Sequence, residues 1–484
     1  MRSAIVLIVG ICGLMLLFLP PAQADVATQD QALNVAQNWV TLITASQGDW
    51  GGAPKASVTA IRPMTRGKHT LGYYCTVHPH GFVVVSYWKH LATVKAFSTT
   101  SSFDPDSDEG PADLIKGGMQ RLIRAVERRV GDIEKASRNQ IAAVLEINYR
   151  DLWPALEVEP SEFQRTLNTV PLANYQAGKE LLTTAWHQSD PYNRDCPPGD
   201  GCAHCVVGCV ATAGAQLMRH WHWPPYGVGS PYNDAYDWPN MPNEITSSSP
   251  AKEIAAVAEL CHEIGLAVGM DYGCTASVAF TWDMEGVYEN QYRYSTACTK
   301  RDRSDYSATA WFDMIKAQLN INRPTQYRIP DHSIVCDGWM EVGSPVQRYY
   351  HMNYGWLNTN FNTWYVLDNL HGGDPDEEYQ LINIVPKVAL GSSFSGSYAS
   401  EAFPYRYFDV DTVCSSSATF HSGQYLQSLA GITINCTSTT GGSIKIYGAV
   451  GKPTSMFNRG NPSDGIRISD GCIKIMKDGG LVMH

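Results

Sequence analysis

The sequence predicts an α+β protein in three successive parts. An α+β N-terminal region precedes a larger mixed domain, and a small all-β domain follows. Three observations carry this. Apolar residues recur at helical spacing in 25–48, 112–147 and 209–221. β-Branched and aromatic runs fill 72–98 and 330–368. After Leu390 the composition turns to Gly, Ser, Thr and alternating β-branched residues.

At 484 residues, 44% hydrophobic and 17% charged, the chain has room for two or three real cores and is not a disordered protein. A net charge of −11 argues against nucleic acid as the main partner, which would call for a basic face. The opening 24 residues carry Arg2, an apolar run from Ala4 to Leu19 and the sequence Ala22-Gln23-Ala24. This reads as a signal peptide, so the expectation is a secreted protein that starts near Asp25 and has no membrane association after cleavage. No other stretch is apolar enough to cross a bilayer.

Each element follows in order. Ala32, Ala36, Trp39, Val40 and Ile43 share one helical face within 25–48. "HPHG" at 78–81 sits between two strand-like runs and predicts a hairpin. A charged amphipathic stretch from Ala112 to Ile147 reads as helix, and 152–180 as the link to the next domain. Ser249-Pro250 offers a capping serine and a first-turn proline to a helix that turns Ile254, Val257, Cys261 and Ile264 inward. Strands return at 330–368, with a turn expected at Asp337-Gly338. Residues 391–401 read as a flexible linker to the β-rich segment 402–484.

Export sets how the cysteines are read. Of 13 in the chain, Cys12 leaves with the signal, and most of the rest are expected to pair in an oxidising compartment. Cys202-x2-Cys205-x3-Cys209, with His204 inside and Cys196 upstream, has some look of a zinc knot. A zinc site wants a second ligand pair at ordinary spacing, and none follows, so no metal and no cofactor are expected. Cys202 and Cys205 are read as disulfide staples in a loop.

Cys209 stands apart. It follows Gly208 and opens a helix in which Ala213, Leu217 and Trp221 share a face. A thiol in the first helical turn sits beside unpaired N–H groups and the positive end of the macrodipole, which lower its pKa. A thiolate nucleophile needs a base. His332 begins a run of alternating residues, and His351 lies in the next, where Tyr349, His351 and Asn353 face one way and Tyr350, Met352 and Tyr354 the other. On periodicity alone either histidine fits.

"WHQSDPYN" (186–193), "GCVATAGAQLMRHWHWP" (208–224), "VGMDYG" (268–273), "DHSIVCDGW" (331–339) and "YHMNYGW" (350–356) together resemble the streptopain-like cysteine peptidases, a branch of the papain-like fold. The resemblance implies a papain-like domain of two subdomains at 179–390, after a signal peptide at 1–24 and an inhibitory propeptide at 25–178. It implies Cys209 as nucleophile, His332 as general base, Gln188 as an oxyanion donor, Trp356 as a shield for the histidine, and Asn353 as an aid to its position. The implied partners are protein or peptide substrates and the chain's own propeptide. Two positions depart from the family pattern: Asp331 stands where glycine is usual before the histidine, and Tyr354 where tryptophan is usual. These departures are the support for the other reading, an inactive homologue that serves as a binding module.

Overall fold

The computed structural model describes residues 24–167, 174–356, 361–367, 370–371 and 377–398. Beyond these it describes 403, 405–420, 425–429 and 432–435, and short strands at 444–447, 453–457, 466–468, 472–475 and 481–483. The expected signal segment, apart from Ala24, lies outside the described residues. Among those residues no helix is long and apolar enough to cross a membrane.

The N-terminal region opens with α1 (Gln29–Gln47), which starts on a capping box between Thr28 and Gln31 and ends at Gly48 in the left-handed region. The face read from its spacing is the one it buries, Trp39 and Ile43 included. Four antiparallel strands follow: β1 (Ser57–Arg66), β2 (His69–His78), β3 (Phe82–Ser86) and β4 (Val94–Ser98). The predicted hairpin is the β2–β3 turn.

The stretch expected as one helix from Ala112 is two, α2 (Gly110–Val130) and α3 (Arg138–Val144). Gly131, at φ +81, stops the first, and a capping box between Ser137 and Gln140 starts the second. Residues 152–167 are not a bare link either. They form α4 (Trp153–Leu156) and α5 (Pro160–Thr166), because Trp153, Leu156 and Phe163 bury themselves in the α1 core and Asn38 donates to the Leu156 and Val158 carbonyls.

From β5 (Tyr175–Ala177) the chain enters the central domain. Its helices are α6 (Cys209–Trp221), α7 (Ala251–Ala267), α8 (Met284–Asn290) and α9 (Ala308–Leu319). Its strands are β6 (Thr299–Asp302), β7 (Thr325–Ile329), β8 (His332–Val342), β9 (Gln347–Asn353), β10 (Thr363–Tyr365) and β11 (Tyr379–Ile382). The inward face of α7 is as expected, but its cap is not. Ser249 Oγ accepts from the Thr246 N–H instead, and Pro250 occupies the N-cap. Asp337-Gly338 is a bulge within β8, not a turn. Leu181 and Leu182 donate to Asp337 there, and a side chain on Gly338 would collide with His351 Cβ at 2.8 Å.

The N-terminal region does not stand as a separate layer. β4 pairs with β10, so one sheet runs β1-β2-β3-β4-β10-β9-β8-β7-β11-β6, with β5 joined to β8. One face carries α2 and α9, packed on Tyr327, Ile334, Tyr350 and Met352. The other carries α1, α4 and α5 over Tyr349 and Trp364, and α6 and α7 over Val335 and Leu381. The helical half (α6–α8) and the strand half (β6–β11 with α9) meet where α6 begins and β8 begins, as the two-subdomain expectation requires.

The segment read as linker forms β12 (Ser393–Tyr398), which pairs in parallel with β14 (Thr412–Phe420) and buries Phe394. Between them β13 (Tyr405–Phe408) lays Tyr407 against Trp221 and Trp223. The start of the β-rich part is therefore seated on the central domain by aromatic contacts that the Gly/Ser composition concealed.

Candidate active site

Cys209 is the first residue of α6, and Gly208 before it has φ +89. A Cβ at Gly208 would fall 2.7 Å from Met270 Sδ, so conformation and space both demand glycine there. The Cys209 thiol is half-buried, and the Ser333 N–H approaches its sulfur at 3.4 Å. His332 opens β8 and is 6% exposed. Its Nε2 donates to the Tyr354 carbonyl at 2.8 Å, which leaves Nδ1 as the nitrogen free to meet Cys209.

Electrostatics couple the two. Burial by itself would raise the Cys209 pKa, but the His332 charge and hydrogen bond, with the N–H groups of Ser333 and Val210, bring it below the ordinary thiol value. Burial would likewise lower the His332 pKa, and the Cys209 charge together with the Tyr354 carbonyl raises it instead. The arrangement favours a thiolate–imidazolium pair.

Two rings enclose the imidazole. Trp356 lies 5.5 Å from it at 59°, and Tyr354 lies 6.3 Å away and nearly parallel. The tyrosine thus keeps an aromatic contact with His332, and its backbone carbonyl supplies the hydrogen bond. Gly110, at the start of α2, sits over Trp356; a Cβ there would be 3.4 Å from the indole. The N-terminal region therefore reaches the rim of this site.

Asn353 makes no hydrogen bond to His332. Its Oδ1 accepts from the Gly355 N–H at 3.0 Å, and its amide exchanges hydrogen bonds with Gln216 and donates to the Thr184 carbonyl. It fixes the 353–355 turn and so the carbonyl that receives His332. Gln216, a turn and more into α6, is the partner that sequence reasoning missed; its place on one helical face with Thr212, Arg219 and His220, a polar stripe on a helix otherwise of apolar residues, was its only signal. Gln326 is a second. Its Nε2 donates to the Val210 carbonyl and to Ser333 Oγ, tying the first turn of α6 to β8. Gln188 is half-buried, and its backbone carbonyl accepts from the Val207 N–H at 2.9 Å, two residues before Cys209.

The other histidine is elsewhere. His351 Nδ1 lies 2.6 Å from Asp337 Oδ1 and Nε2 lies 3.5 Å from Glu180 Oε2. Against the effect of burial, these carboxylates push its pKa up to about 9. Asp331 occupies the two-residue turn between β7 and β8 at φ +62, with its side chain exposed. A left-handed residue at this point accounts for the family's glycine, and aspartate is among the side chains that tolerate it. The upward shift of His332 comes from Cys209 and Tyr354, not from this carboxylate.

The expectation that most cysteines pair is not met among the described side chains. One bridge forms, Cys202–Cys274, while Cys75, Cys196, Cys205, Cys209, Cys261, Cys298 and Cys336 are free. Cys205 is thus no staple of its own. Cys261 and Cys336 are packing thiols inside apolar clusters, where burial drives their pKa well up. The side chains of Cys414, Cys436 and Cys472 lie outside the described residues.

Residues 186–365 match the Peptidase C10 family, and residues 24–123 match the Spi protease inhibitor family. The match places a Peptidase C10 domain at residues 186–365 of the chain. The protein is a cysteine peptidase that carries an inhibitor domain in the same chain, the organisation of a zymogen. It is 23% identical over 378 residues to the thiol protease/hemagglutinin PrtT of Porphyromonas gingivalis, covering 73% of this chain and 40% of that protein. It is 24% identical over 357 residues to streptopain of Streptococcus pyogenes, covering 66% of this chain and 80% of that one. A fragment of prointerpain A from Prevotella intermedia shares the fold, with a TM-score of 0.51 at 22% identity over 68% of this chain and 100% of that chain.

Proposed function

We propose that this C10 peptidase is a secreted endopeptidase whose nucleophile is Cys209 and whose general base is His332. The observation that carries the reading is the coupled pair itself, a half-buried thiol at the N-terminus of α6 held below its ordinary pKa by a buried imidazole held above its own. In this reading the Cys209 thiolate attacks a peptide carbonyl, and Gln188 and the Cys209 backbone N–H receive the oxyanion. His332 protonates the leaving amine, and water then hydrolyses the thioester. Trp356 shields the imidazole, and Asn353 acts as a positioning residue through Gly355 and the Tyr354 carbonyl. Residues 25–178 serve as the inhibitory propeptide, its first α2 turn seated on Trp356. Residues 179–390 form the peptidase domain and 402–484 the β domain, with protein or peptide substrates in the cleft between the two halves. The His332–Cys209 contact and the retained aromatic shield favour this over an inactive homologue.

The test is expression of the chain from Asp25 beside Cys209→Ala, with and without a thiol-directed epoxide. Autocatalytic loss of the N-terminal region and covalent labelling are expected in the first and absent in the second. A chain that stays intact and unlabelled under reducing conditions overturns the proposal. His332→Ala against His351→Ala then assigns the base, since only the first should abolish turnover.

A further inference from the structure

The stretch Cys202-Ala203-His204-Cys205 leaves a feature that peptide hydrolysis does not use. The sulfurs of Cys202, Cys205 and Cys274 all lie within 4.8 Å of one another, although only Cys202 and Cys274 are bonded. Cys205 is 1% exposed and free, while its two neighbours are half-buried and reachable from solvent. Gly199 packs its backbone over all three: a Cβ there would fall 2.7 Å from Cys274 Sγ, 2.8 Å from Cys205 Sγ and 3.1 Å from Cys202 Sγ. A third thiol beside a disulfide, with a Cys-x-x-Cys spacing to one of its sulfurs, is the arrangement thiol–disulfide exchange requires.

We propose that Cys202, Cys205 and Cys274 form one thiol–disulfide exchange site, in which the bridge moves between Cys202–Cys274 and Cys202–Cys205. The Cys205 thiolate attacks Cys202 Sγ, the new S–S bond forms, and the bond to Cys274 breaks. Cys274 leaves as a thiolate and takes up one proton, matching the one that Cys205 gave to solvent. No electrons are gained or lost, so the step needs no oxidant or reductant. The Asp200 carbonyl oxygen, 3.4 Å from Cys274 Sγ, stands ready to accept the released S–H.

The move has a consequence for the loop that holds Cys274. Residues 270–278 are tied to the strand of chain leading into α6 by the Val206 N–H to the Gly273 carbonyl and by Ser277 Oγ to the Val206 carbonyl. Met270 and Ser277 also pack on Gly208, the residue before Cys209. The Cys202–Cys274 bridge is the covalent member of this clamp, and its migration leaves only the hydrogen bonds. The exchange stands apart from peptide hydrolysis; only its effect on Cys209 rests on the peptidase reading.

The experiment uses the full chain carrying Cys209→Ala, so that neither processing nor turnover enters the result. The protein is equilibrated in glutathione buffers of graded redox ratio, quenched in acid, alkylated with N-ethylmaleimide and mapped by mass spectrometry. The proposal expects a species in which Cys274 is alkylated while Cys202 and Cys205 are both protected. That species should show at least roughly tenfold faster hydrogen exchange at the Val206 and Val278 amides. In the same buffers Cys274→Ser should form the Cys202–Cys205 bridge by reducing one oxidised glutathione to two thiols, and Cys205→Ser should never show Cys274 alkylated with Cys202 protected, apart from a glutathione adduct of different mass. If Cys202 and Cys274 always lose protection together while Cys205 is alkylated throughout, the proposal is overturned. This outcome is read on the Cys209→Ala chain alone, so failure of the Cys274→Ser variant to fold does not block it. Loss of peptidase activity elsewhere would leave this result untouched.

Discussion

His332 Nε2 donates to the backbone carbonyl of Tyr354 across 2.8 Å, so the residue that departs from the family pattern holds the imidazole through an atom that any residue has. Tyr354→Phe should therefore leave kcat/KM within roughly threefold of wild type, a change well under 1 kcal/mol. Asn353→Ala is the contrasting case. It strips partners from the Gly355 N–H, the Thr184 carbonyl and Gln216, all of them buried. Gln216 Oε1 keeps the Thr184 hydroxyl and the Trp186 N–H, but the loss of a buried partner, as at the Gly355 N–H, costs about 1–3 kcal/mol, so a lower Tm and a fall in kcat/KM of roughly ten- to a hundredfold are expected. An Asn353→Ala protein with unchanged kcat/KM would remove Asn353 from the account.

The coupled pair predicts a pH signature. Cys209 is held below the ordinary thiol value of 9.0 and His332 above the ordinary imidazole value of 6.5. The downward shift of the thiol predicts that iodoacetamide alkylation of Cys209 follows a profile whose midpoint lies below 9.0. In His332→Ala the opposing charge is gone while the Ser333 and Val210 N–H groups remain, so the midpoint of the alkylation profile should move up from its wild-type position. A midpoint that stays in place would mean that His332 does not set the thiol's charge.

Much of this was legible in the sequence because it rests on local pattern. Helical spacing in α1 and α6, the strand alternation of β9 and the Gly208-Cys209 junction each depend on near neighbours. The choice between His332 and His351 did not, since both lie in strands on equally plausible faces. What separates the two histidines is contacts far along the chain, Cys209 for one and Asp337 with Glu180 for the other. The same holds for the supporting amides Gln216 and Gln326, and for the joining of β4 to β10, where two distant segments share one sheet. The expected turn at Asp337-Gly338 failed for a related reason. Asp-Gly is a turn signal by local chemistry, but here the aspartate binds His351 and the glycine admits His351 Cβ.

His351 predicts a stability effect of definite sign. Its folded pKa, near 9, lies above the ordinary 6.5, so its contribution is fully present below 6.5 and is lost as pH rises through about 9. Urea unfolding of the Cys209→Ala chain at pH 7 and pH 9.5 should show a loss on the order of 1–3 kcal/mol from this group. Asp337→Asn lowers the folded pKa of His351, so the difference between the two pH values should shrink. Equal pH dependence in both proteins would assign the effect to other groups.

Gly110 predicts how the inhibitor domain is seated. It is the first residue of α2, its φ is +57, and a Cβ would lie 3.4 Å from the Trp356 indole. Gly110→Val adds both backbone strain, about 1–2 kcal/mol in the left-handed region, and bulk against the ring beside His332. Gly131→Val is the control, because Gly131 has φ +81 at the far end of the same helix and nothing within 4 Å of a Cβ. Both variants should lose Tm by similar amounts, but only Gly110→Val should speed epoxide labelling of Cys209 in the unprocessed chain, several-fold over wild type. Such a split would tie access at Cys209 to the contact with Trp356. Equal acceleration by both would instead mean that α2 restrains the site through its overall stability, with no special part for the residue that touches the ring.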